Sequence, residues 1–397
     1  MSSDKPSLPI KGGWLIALLT LTAALGQFAS SAYLPSLPAI EAGMSTTAGA
    51  VQLTMTAYLA AFAMMQLVFG PLADRYGRRP VMISGMVLFM GGSLLCVVAG
   101  SIEVIILGRA VQAVGACAGV VASRAITRDL FDGPQLTKVM AAIAMAFSIV
   151  PAVAPVIGGL LQESVGWEGS FVASAILGLI VLVPVLLYLS ETNQSRMDRI
   201  NPAAIWAGYR EVGGNPQFRA YALTTSAVMG ALFAFLTGAP TALIGDGPGQ
   251  VSPLEFGIYP ALTIPGFMVA GMMVRKSVNK TGDAPLMKRG ALIAAVGGLL
   301  MVGFSVAEFG GVGEILYPMI VFVVGMGFVF SVGHAGALRH FKERAGVASA
   351  LMGVLQLGTA AVFSAIAAGL AHMGSLSFAI AMAVAGVAAV VFSRACR

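Results

Sequence analysis

The sequence predicts an all-α membrane protein with twelve transmembrane helices, arranged as two six-helix halves. Composition is the first observation behind this prediction: of 397 residues, 58% are hydrophobic and only 10% are charged, and the mean hydropathy is +0.89. A soluble domain carries about 25% charged residues, because a surface in contact with water needs polar side chains. The composition therefore excludes a soluble enzyme, a disordered chain and a nucleic-acid-binding protein.

The second observation is the number and length of the apolar runs. A helix needs about 20 apolar residues to cross a hydrocarbon core of about 30 Å. The predicted spans are residues 12–38, 48–73, 80–100, 103–126, 136–162, 167–189, 218–243, 254–274, 286–307, 313–336, 345–371 and 374–393. The first run follows Lys11 like a signal peptide, but it is too long for a signal-peptide core and eleven spans follow. We therefore expect it to be retained.

The third observation is the position of the basic residues. If the amino terminus is cytoplasmic, 22 of the 23 lysines and arginines fall in cytoplasmic loops, tails or adjoining span ends, and no outer loop contains one. Cytoplasmic loops of membrane proteins carry this excess of positive charge. The distribution predicts a multi-pass protein of the bacterial cytoplasmic membrane with both termini in the cytoplasm. It also accounts for the net charge of +6 without a nucleic-acid partner.

A polar segment at residues 191–217 divides the chain into a first half, residues 1–190, and a second half, residues 218–397. The segment contains six charged residues, and we expect it to be a cytoplasmic linker loop. The basic loop after span 2 has a weaker counterpart after span 8, which indicates that the halves are related. Two such halves, each usually a pair of three-span inverted repeats, are typical of an alternating-access transporter with its site at the midplane.

The loop between spans 2 and 3 has the most specific motif, Gly70-Pro71-Leu72-Ala73-Asp74-Arg75-Tyr76-Gly77-Arg78-Arg79-Pro80. It predicts a tight turn at Gly77, since glycine adopts backbone conformations that other residues rarely reach. Its carboxylate and three guanidinium groups can pair with charges on neighbouring helix ends in one conformation and release them in another. The predicted gating residues of this loop are Gly70, Asp74, Arg75, Gly77, Arg78 and Arg79.

This loop resembles the signature of the major facilitator superfamily, and nearly the whole chain is similar to its drug:proton antiporters of the bicyclomycin-resistance branch. Further marks of the resemblance are Tyr33-Leu34-Pro35-Ser36-Leu37-Pro38, Gln52-Leu53-Thr54, Arg109-Ala110-Val111-Gln112-Ala113-Val114-Gly115, Ser123-Arg124-Ala125-Ile126-Thr127-Arg128-Asp129-Leu130-Phe131 and Ala348-Ser349-Ala350-Leu351-Met352-Gly353-Val354-Leu355-Gln356. The resemblance implies that Asp74, Arg78 and Asp129 form an inner charge relay that stabilises the outward-facing state. It also implies that Asp74 faces the amino terminus of span 11, where the helix dipole favours an anion.

Span 4 carries Arg109, the only charge predicted to lie well inside the hydrocarbon. It lies about seven residues, or roughly 10 Å, from the outer end of the span, and burying a charge there costs about 2.5–3.5 kcal/mol. Such residues are usually functional, and the resemblance links Arg109 to proton coupling. The alternative is a structural arginine bonded to helix carbonyls. Gln112 shares the face of Arg109, whereas Arg124 near the inner end either snorkels to the surface or lines the cavity.

Span 5 contains Pro151 and Pro155, followed by Gly158 and Gly159, and it resembles the antiporter motif of the same family. Each proline removes a helix hydrogen bond and bends the axis, while the glycines allow close packing against a neighbouring helix. The resemblance implies a bend that seals the transport path and favours exchange over uniport. The alternative is an ordinary pair of kinks in a transmembrane helix.

Span 1 departs from the family pattern. The branch commonly has an aspartate two residues before the Tyr-Leu-Pro segment, where this chain has Ser31, and all 17 acidic residues map to loops or span ends. Coupling then runs through Arg109 with a carboxylate at a span end, or the protein is not a standard proton antiporter. His334 is a weaker candidate for a titrating group. The candidate carboxylates are Glu41, Asp129 and Glu163.

The leading hypothesis is a monomeric secondary exporter of small amphipathic molecules, driven by proton re-entry. No motif for ATP binding, nucleophilic hydrolysis or metal binding occurs in the sequence, so we expect no cofactor and no enzymatic activity. A buried cation without an acid favours neutral or anionic cargo, such as a phenicol-like drug or a carboxylate-bearing metabolite or siderophore. A metabolite exporter with atypical coupling and an uptake or facilitative carrier are the alternatives. The predicted substrate-lining residues are Gln27, Ser30, Ser31, Tyr33, Gln112, Arg124 and Phe147.

Overall fold

A computed structural model describes residues 12–194, 197, 201–245, 250–307, 312–341 and 344–397, which are almost entirely helical. The helices are α1 (Gly12–Ser31), α2 (Leu37–Gly43), α3 (Ala48–Tyr76), α4 (Arg78–Val97), α5 (Ile102–Leu130), α6 (Gly133–Val165), α7 (Glu168–Tyr188), α8 (Pro202–Gly214), α9 (Pro216–Leu243), α10 (Pro253–Thr281), α11 (Asp283–Val306), α12 (Gly313–Leu338), α13 (Ala345–Gly369) and α14 (Ser375–Ser393). In the described residues, eleven segments are long and apolar enough to cross a membrane. Helix α6, at the position of the predicted fifth span, contributes the shorter apolar segment Ile149–Val165. The predicted all-α fold with twelve spans is confirmed.

Span 1 is interrupted near its outer end. After α1, a short 3-10 turn at Leu34–Ser36 leads into α2. Pro35 and Pro38 lie in the first positions of the turn and of α2, where their missing N–H groups leave no helix hydrogen bond unmade. The span predicted over residues 12–38 is found as one apolar segment, Gly13–Gly43, which is built from two helices joined by a turn.

The helices pack as two groups, which we call the first half (α1–α7) and the second half (α9–α14). Helix α5 packs against α1, α3 and α4, and α9 packs against α12, α13 and α14 in the second half. The main packing between the halves is made by two helix pairs, α3 with α13 and α6 with α10. These pairs occupy equivalent places in the two halves, as expected for a pseudo-symmetric arrangement.

The halves are joined at the ends predicted to be outer. A single buried hydrophobic cluster contains Leu37 and Val51 of the first half together with Leu243 and Phe256 of the second. The rest of the first half has a separate cluster, which includes Val81. The outer ends of the two halves therefore share one continuous apolar core.

The predicted linker loop at residues 191–217 is only partly a loop. It contains α8, a 13-residue helix that begins with Pro202 and packs against α13 and the start of α9. Gly208 faces Val347, whose Cγ1 would lie 3.7 Å from a Cβ at the glycine. Glu211 forms an ion pair with Arg344 just before α13. The charged composition indicated a loop, but proline is favoured at the first position of a helix, and packing on α13 stabilises the segment.

Candidate functional site

Arg109 lies in the interior of the first half, on α5, and its side chain is fully buried. Its guanidinium carbon lies 4.1 Å from the ring centre of Tyr33 and 4.2 Å from that of Tyr58. A cation held between two desolvated rings gains about 2 kcal/mol or more from each favourable contact. These rings therefore offset much of the cost of placing a charge in the membrane interior.

A chain of polar groups continues from Arg109 toward α4. Nη1 of Arg109 donates to the carbonyl oxygen of Ala29 at 2.9 Å and to Oε1 of Gln112 at 2.5 Å. Nε2 of Gln112 then donates to the hydroxyl of Ser93 at 2.7 Å. Tyr58 donates to the carbonyl of Gly26 at 2.8 Å, which fixes its ring against the guanidinium. The arrangement holds Arg109 in one position through groups from α1, α3 and α4.

The rest of the guanidinium edge is unsatisfied. Nε and Nη2 of Arg109 are buried and form no hydrogen bond within the described part of the chain. A buried donor without a partner costs about 1–3 kcal/mol, and more when the group is charged. Persistent cost of this kind is typical of a position selected for function rather than for stability. The helix carbonyl of Ala29 is nevertheless a partner, so both sequence interpretations of Arg109 apply to its geometry.

The structure does not bring the predicted carboxylates to Arg109. Asp129 lies 20 residues further along the same helix, roughly 30 Å away at 1.5 Å per residue. Glu41 is partly exposed on α2, and Glu163 accepts a hydrogen bond from the amide of Leu254 at 3.1 Å. Each is placed at an end of the bundle, as the sequence predicted.

The other predicted lining residues on α1 and in the turn after it differ in exposure. Ser30, Ser31 and Tyr33 are buried, and Ser30 donates to the carbonyl oxygen of Gln27 at 3.0 Å. Gln27 is partly exposed on α1. Phe147 belongs to α6, and its side chain lies outside the described residues. The lining role of these residues stays a prediction.

The inner relay predicted from the resemblance exists as a set of contacts. Nη1 of Arg78 is 2.5 Å from Oδ1 of Asp74, and Nε of Arg78 is 3.2 Å from Oδ2 of Asp129. The three groups come from the ends of α3, α4 and α5. One guanidinium thus joins three helices of the first half at the inner surface, and the role of this relay in stabilising the outward-facing state stays a prediction.

The start of the linker adds two members to this relay that sequence analysis did not identify. The carboxylate of Glu191 accepts hydrogen bonds from the backbone N–H groups of Arg78 (2.8 Å) and Arg79 (3.3 Å) at the amino terminus of α4. Thr192 donates its hydroxyl to Oδ2 of Asp129 at 3.0 Å. A carboxylate at a helix amino terminus satisfies unpaired N–H groups and complements the dipole. The only sequence signal for a role of Glu191 and Thr192 was their position directly after span 6.

The remaining basic residues of the loop have separate contacts. Nη2 of Arg79 donates to the carbonyl of Leu186 at 2.8 Å, and the guanidinium of Arg75 lies 5.2 Å from the ring centre of Tyr76. Gly77 ends α3 with φ of +108°, a conformation that disfavours side chains. A Cβ on Gly77 would overlap the carboxylate of Glu191.

We expect Gly77→Ala to lower the thermal stability of the purified protein and to impair transport. Backbone strain at such a position costs about 1–3 kcal/mol, and the new methyl would also displace Glu191. Gly282 is the matched control, because it has φ of +80° in the equivalent loop of the second half and no atom within 4 Å of its Cβ position. Equal losses of melting temperature in Gly77→Ala and Gly282→Ala would show that the contact with Glu191 contributes nothing.

Of the predicted glycines of span 5, Gly158 packs within the first half and Gly159 lies where the halves meet. A Cβ on Gly158 would overlap the carbonyl oxygen of Ala32, and one on Gly159 would lie 2.6 Å from the Cα of Leu254 on α10. Pro151 and Pro155 both lie inside α6. The glycines therefore allow α6 to approach the turn after α1 and the start of α10 at the outer end, and their gating role stays a prediction.

Polar contacts between the halves accompany this close packing. Nε2 of Gln52 donates to the hydroxyl of Thr241 at 2.9 Å, and the hydroxyls of Thr56 and Ser364 are 3.0 Å apart. These pairs are not predictable from the sequence, because 189 and 308 positions separate their members along the chain.

Two six-helix halves, a buried arginine and an inner charge relay together define a polytopic membrane transporter. The family model described as Major Facilitator Superfamily matches residues 19–364, and the chain belongs to this superfamily. Its members are transporters rather than enzymes. The Multidrug resistance protein D of Escherichia coli (strain K12) is 30% identical over 376 residues, which cover 94% of this chain and 93% of that protein.

Two further similarities support this assignment. The Bicyclomycin resistance protein homolog of Haemophilus influenzae is 28% identical over 365 residues, covering 89% of this chain and 88% of that protein. A bacterial homolog of the human lysosomal transporter Spinster, in an inward-facing and unoccupied conformation, superposes with a TM-score of 0.73 over 96% of this chain and 97% of that one. The latter similarity, at 15% identity, shows the fold alone. The chain is thus a drug-transporter-like member of the superfamily, as its motifs predicted.

Proposed function

We propose that this protein exports small, amphipathic, neutral or anionic compounds across the bacterial cytoplasmic membrane in exchange for protons. The observation that carries the proposal is the near full-length similarity to multidrug and bicyclomycin resistance proteins, together with a buried, carboxylate-free Arg109. Alternating access is supported by the hydrogen bonds and close packing that join the halves at the outer end, because such contacts can break as a unit when the cavity changes sides.

The charge preference follows from the residues around the site. Arg109 is buried, and within the described part of the chain it bonds no carboxylate. A cation entering this region finds a like charge in a low-dielectric environment, where repulsion is strong. Neutral or anionic cargo avoids this repulsion. We therefore propose that lipophilic cations are poor substrates.

Topology and assembly complete the proposal. We propose that both termini are cytoplasmic, since the basic residues of the described loops follow the positive-inside distribution, and that a monomer is the functional unit. The halves at residues 1–190 and 218–397 would then rock about the site, with the linker on the cytoplasmic side.

Addition of chloramphenicol outside proteoliposomes is expected to make the lumen more alkaline. Entry of the drug through an exchanger drives protons outward, whereas uniport leaves lumenal pH unchanged and symport acidifies the lumen. A pH-sensitive dye enclosed in the vesicles measures the change, with protein-free liposomes as the control. Drug flux that is indifferent to an imposed pH gradient would exclude antiport and favour the facilitative alternative.

A resistance screen tests direction and charge preference together. Cells that express the protein should tolerate more chloramphenicol than cells without it, and their tolerance of quaternary ammonium dyes should not change. Resistance gained chiefly toward the dyes would show that the electrostatic reasoning is wrong. Sensitivity gained toward chloramphenicol would instead indicate uptake.

A further inference from the structure

A second group of cations lies on a different face of α5 from Arg109. Arg124 and Arg128 are one helical turn apart, and both side chains are exposed, whereas the three residues between them are buried. Residues four apart lie on the same helical face. The inner half of α5 therefore presents two guanidinium groups along one exposed stripe, to which the partly exposed Val121 also belongs.

Two elements of the second half face these groups. The guanidinium of Arg124 interacts electrostatically with His334 on α12, and the side chain of His334 is also exposed. Arg128 lies against the start of α13, where a Cβ on Gly346 would be 3.7 Å from its Nη1. Since α5 belongs to the first half, and α12 and α13 belong to the second, these side chains face each other across the gap between the halves.

The chemistry of this cluster suits a negative group. Guanidinium groups bind carboxylates through two parallel N–H donors, and an imidazole supplies a further N–H. The amino terminus of α13 adds the positive end of a helix dipole next to Arg128. Arg124 and Arg128 repel one another, as the interaction between them indicates, and an anion between them would remove that repulsion.

We propose that Arg124, Arg128 and His334 form an anion-recognition site in the gap between the halves, which receives the carboxylate or other negative group of the cargo. The inference rests on the proposed export function and adds the place where the charged end of an anionic substrate binds. The sequence left open whether Arg124 snorkels to the surface or lines the cavity, and this proposal places it in the cavity lining. Arg109, in contrast, is enclosed, so it acts on the cargo through its electrostatic field and without direct contact in this conformation.

The electrostatic part of the proposal is tested without any substrate. The variant Val121→Cys places a thiol on the same face as Arg124 and one turn deeper. In nanodisc-embedded protein, this thiol is labelled either with the anionic reagent sulfonatoethyl methanethiosulfonate or with the cationic reagent trimethylammonioethyl methanethiosulfonate. We expect Arg124→Gln and Arg128→Gln together to lower the ratio of anionic to cationic labelling rates about tenfold, as loss of two nearby charges requires. An unchanged ratio would overturn the proposal.

Two controls separate this effect from misfolding. The pair Arg124→Lys and Arg128→Lys keeps both charges and should keep the ratio. A cysteine at Ala207, on the exposed face of α8, should show the same ratio with and without the glutamine substitutions. The three native cysteines are buried.

Cargo binding is tested by protection of the Val121→Cys thiol. Chloramphenicol succinate, which carries a carboxylate, should protect the thiol at lower concentration than neutral chloramphenicol does. In each of the variants His334→Gln and Arg128→Gln, the concentration of chloramphenicol succinate needed for protection should rise about tenfold. This is the loss expected for one charge-assisted hydrogen bond. The concentration of chloramphenicol needed for protection should not change. Protection by neither compound, or equal protection in parent and variants, would overturn the site. Chloramphenicol export in proteoliposomes is a separate measurement, so failure here leaves the proposed function intact.

Discussion

Replacement of Arg109 by alanine is expected to abolish the substrate-dependent pH change in proteoliposomes, with exchange reduced about a hundredfold or more. Losses of this size follow removal of a preorganised charged group from a functional site. Arg109 is fully buried, lies between the rings of Tyr33 and Tyr58, and bonds Gln112. None of these neighbours can replace its charge. The measurement is the initial rate of lumenal pH change after addition of chloramphenicol.

Arg109→Met separates a role in transport from a role in folding. Methionine fills similar space without a charge, and removal of a buried cation recovers about 2.5–3.5 kcal/mol of insertion cost, which offsets the lost cation–π contacts. We expect this variant to retain the melting temperature of the parent and to lose exchange. If Arg109→Met transports normally, Arg109 is the structural arginine of the alternative interpretation.

The substitution Gly158→Val is expected to prevent closure of the outer side. Any Cβ at Gly158 overlaps the carbonyl oxygen of Ala32 within the first half. Helix α6 must therefore move away from the turn after α1, and this movement disturbs its packing against α10 of the second half. Overpacking of this kind costs about 1–3 kcal/mol, which shifts a two-state equilibrium by about five- to 150-fold. The transport rate should fall in proportion to the population that closes toward the outside, because a protein that cannot close there cannot complete the cycle.

Closure of the outer side can be measured directly with a disulfide. Cysteines replacing Gln52 and Thr241, whose side chains are hydrogen-bonded across the halves at 2.9 Å, should cross-link readily in the parent and poorly in Gly158→Val. Gly91→Val is the matched control, since no atom lies within 4 Å of the Cβ position of Gly91. Cross-linking at the parental rate in Gly158→Val would show that α6 accommodates the side chain and that Gly158 does not gate the outer path.

The parts of the fold that depend on local composition were predictable. A span is recognised from its own apolar run, so the order of the twelve helices follows from hydropathy alone. Breaks and caps were less evident. The interruption near Leu34–Ser36 could have been predicted from Pro35 and Pro38, and α8 from Pro202, but the hydropathy of span 1 and the charges of the linker favoured simpler interpretations.

The site was predictable only where a single residue conflicts with its surroundings. Arg109 is conspicuous because a charge in an apolar span is costly, and Gly77 because it interrupts two helices. Tyr58 is one aromatic residue among many in an apolar run, and its contact with Arg109 joins residues 51 positions apart. Glu191 and Thr192 were counted only as polar residues of the linker. Their bonds to α4 and Asp129 depend on three helix ends meeting at one surface.

The sequence by itself determined that this chain spans the membrane twelve times and belongs to a known transporter class. Those properties depend on hydrophobic length, on the distribution of positive charge and on short motifs, all of which act locally. The tertiary structure decided the surroundings of each charge: Arg109 lies against two aromatic rings, Asp129 lies in the inner relay, and Arg124 lies within electrostatic range of His334. Electrostatic interactions depend on separation in space and on burial, and in a bundle of long helices both are set by packing between segments far apart in the chain.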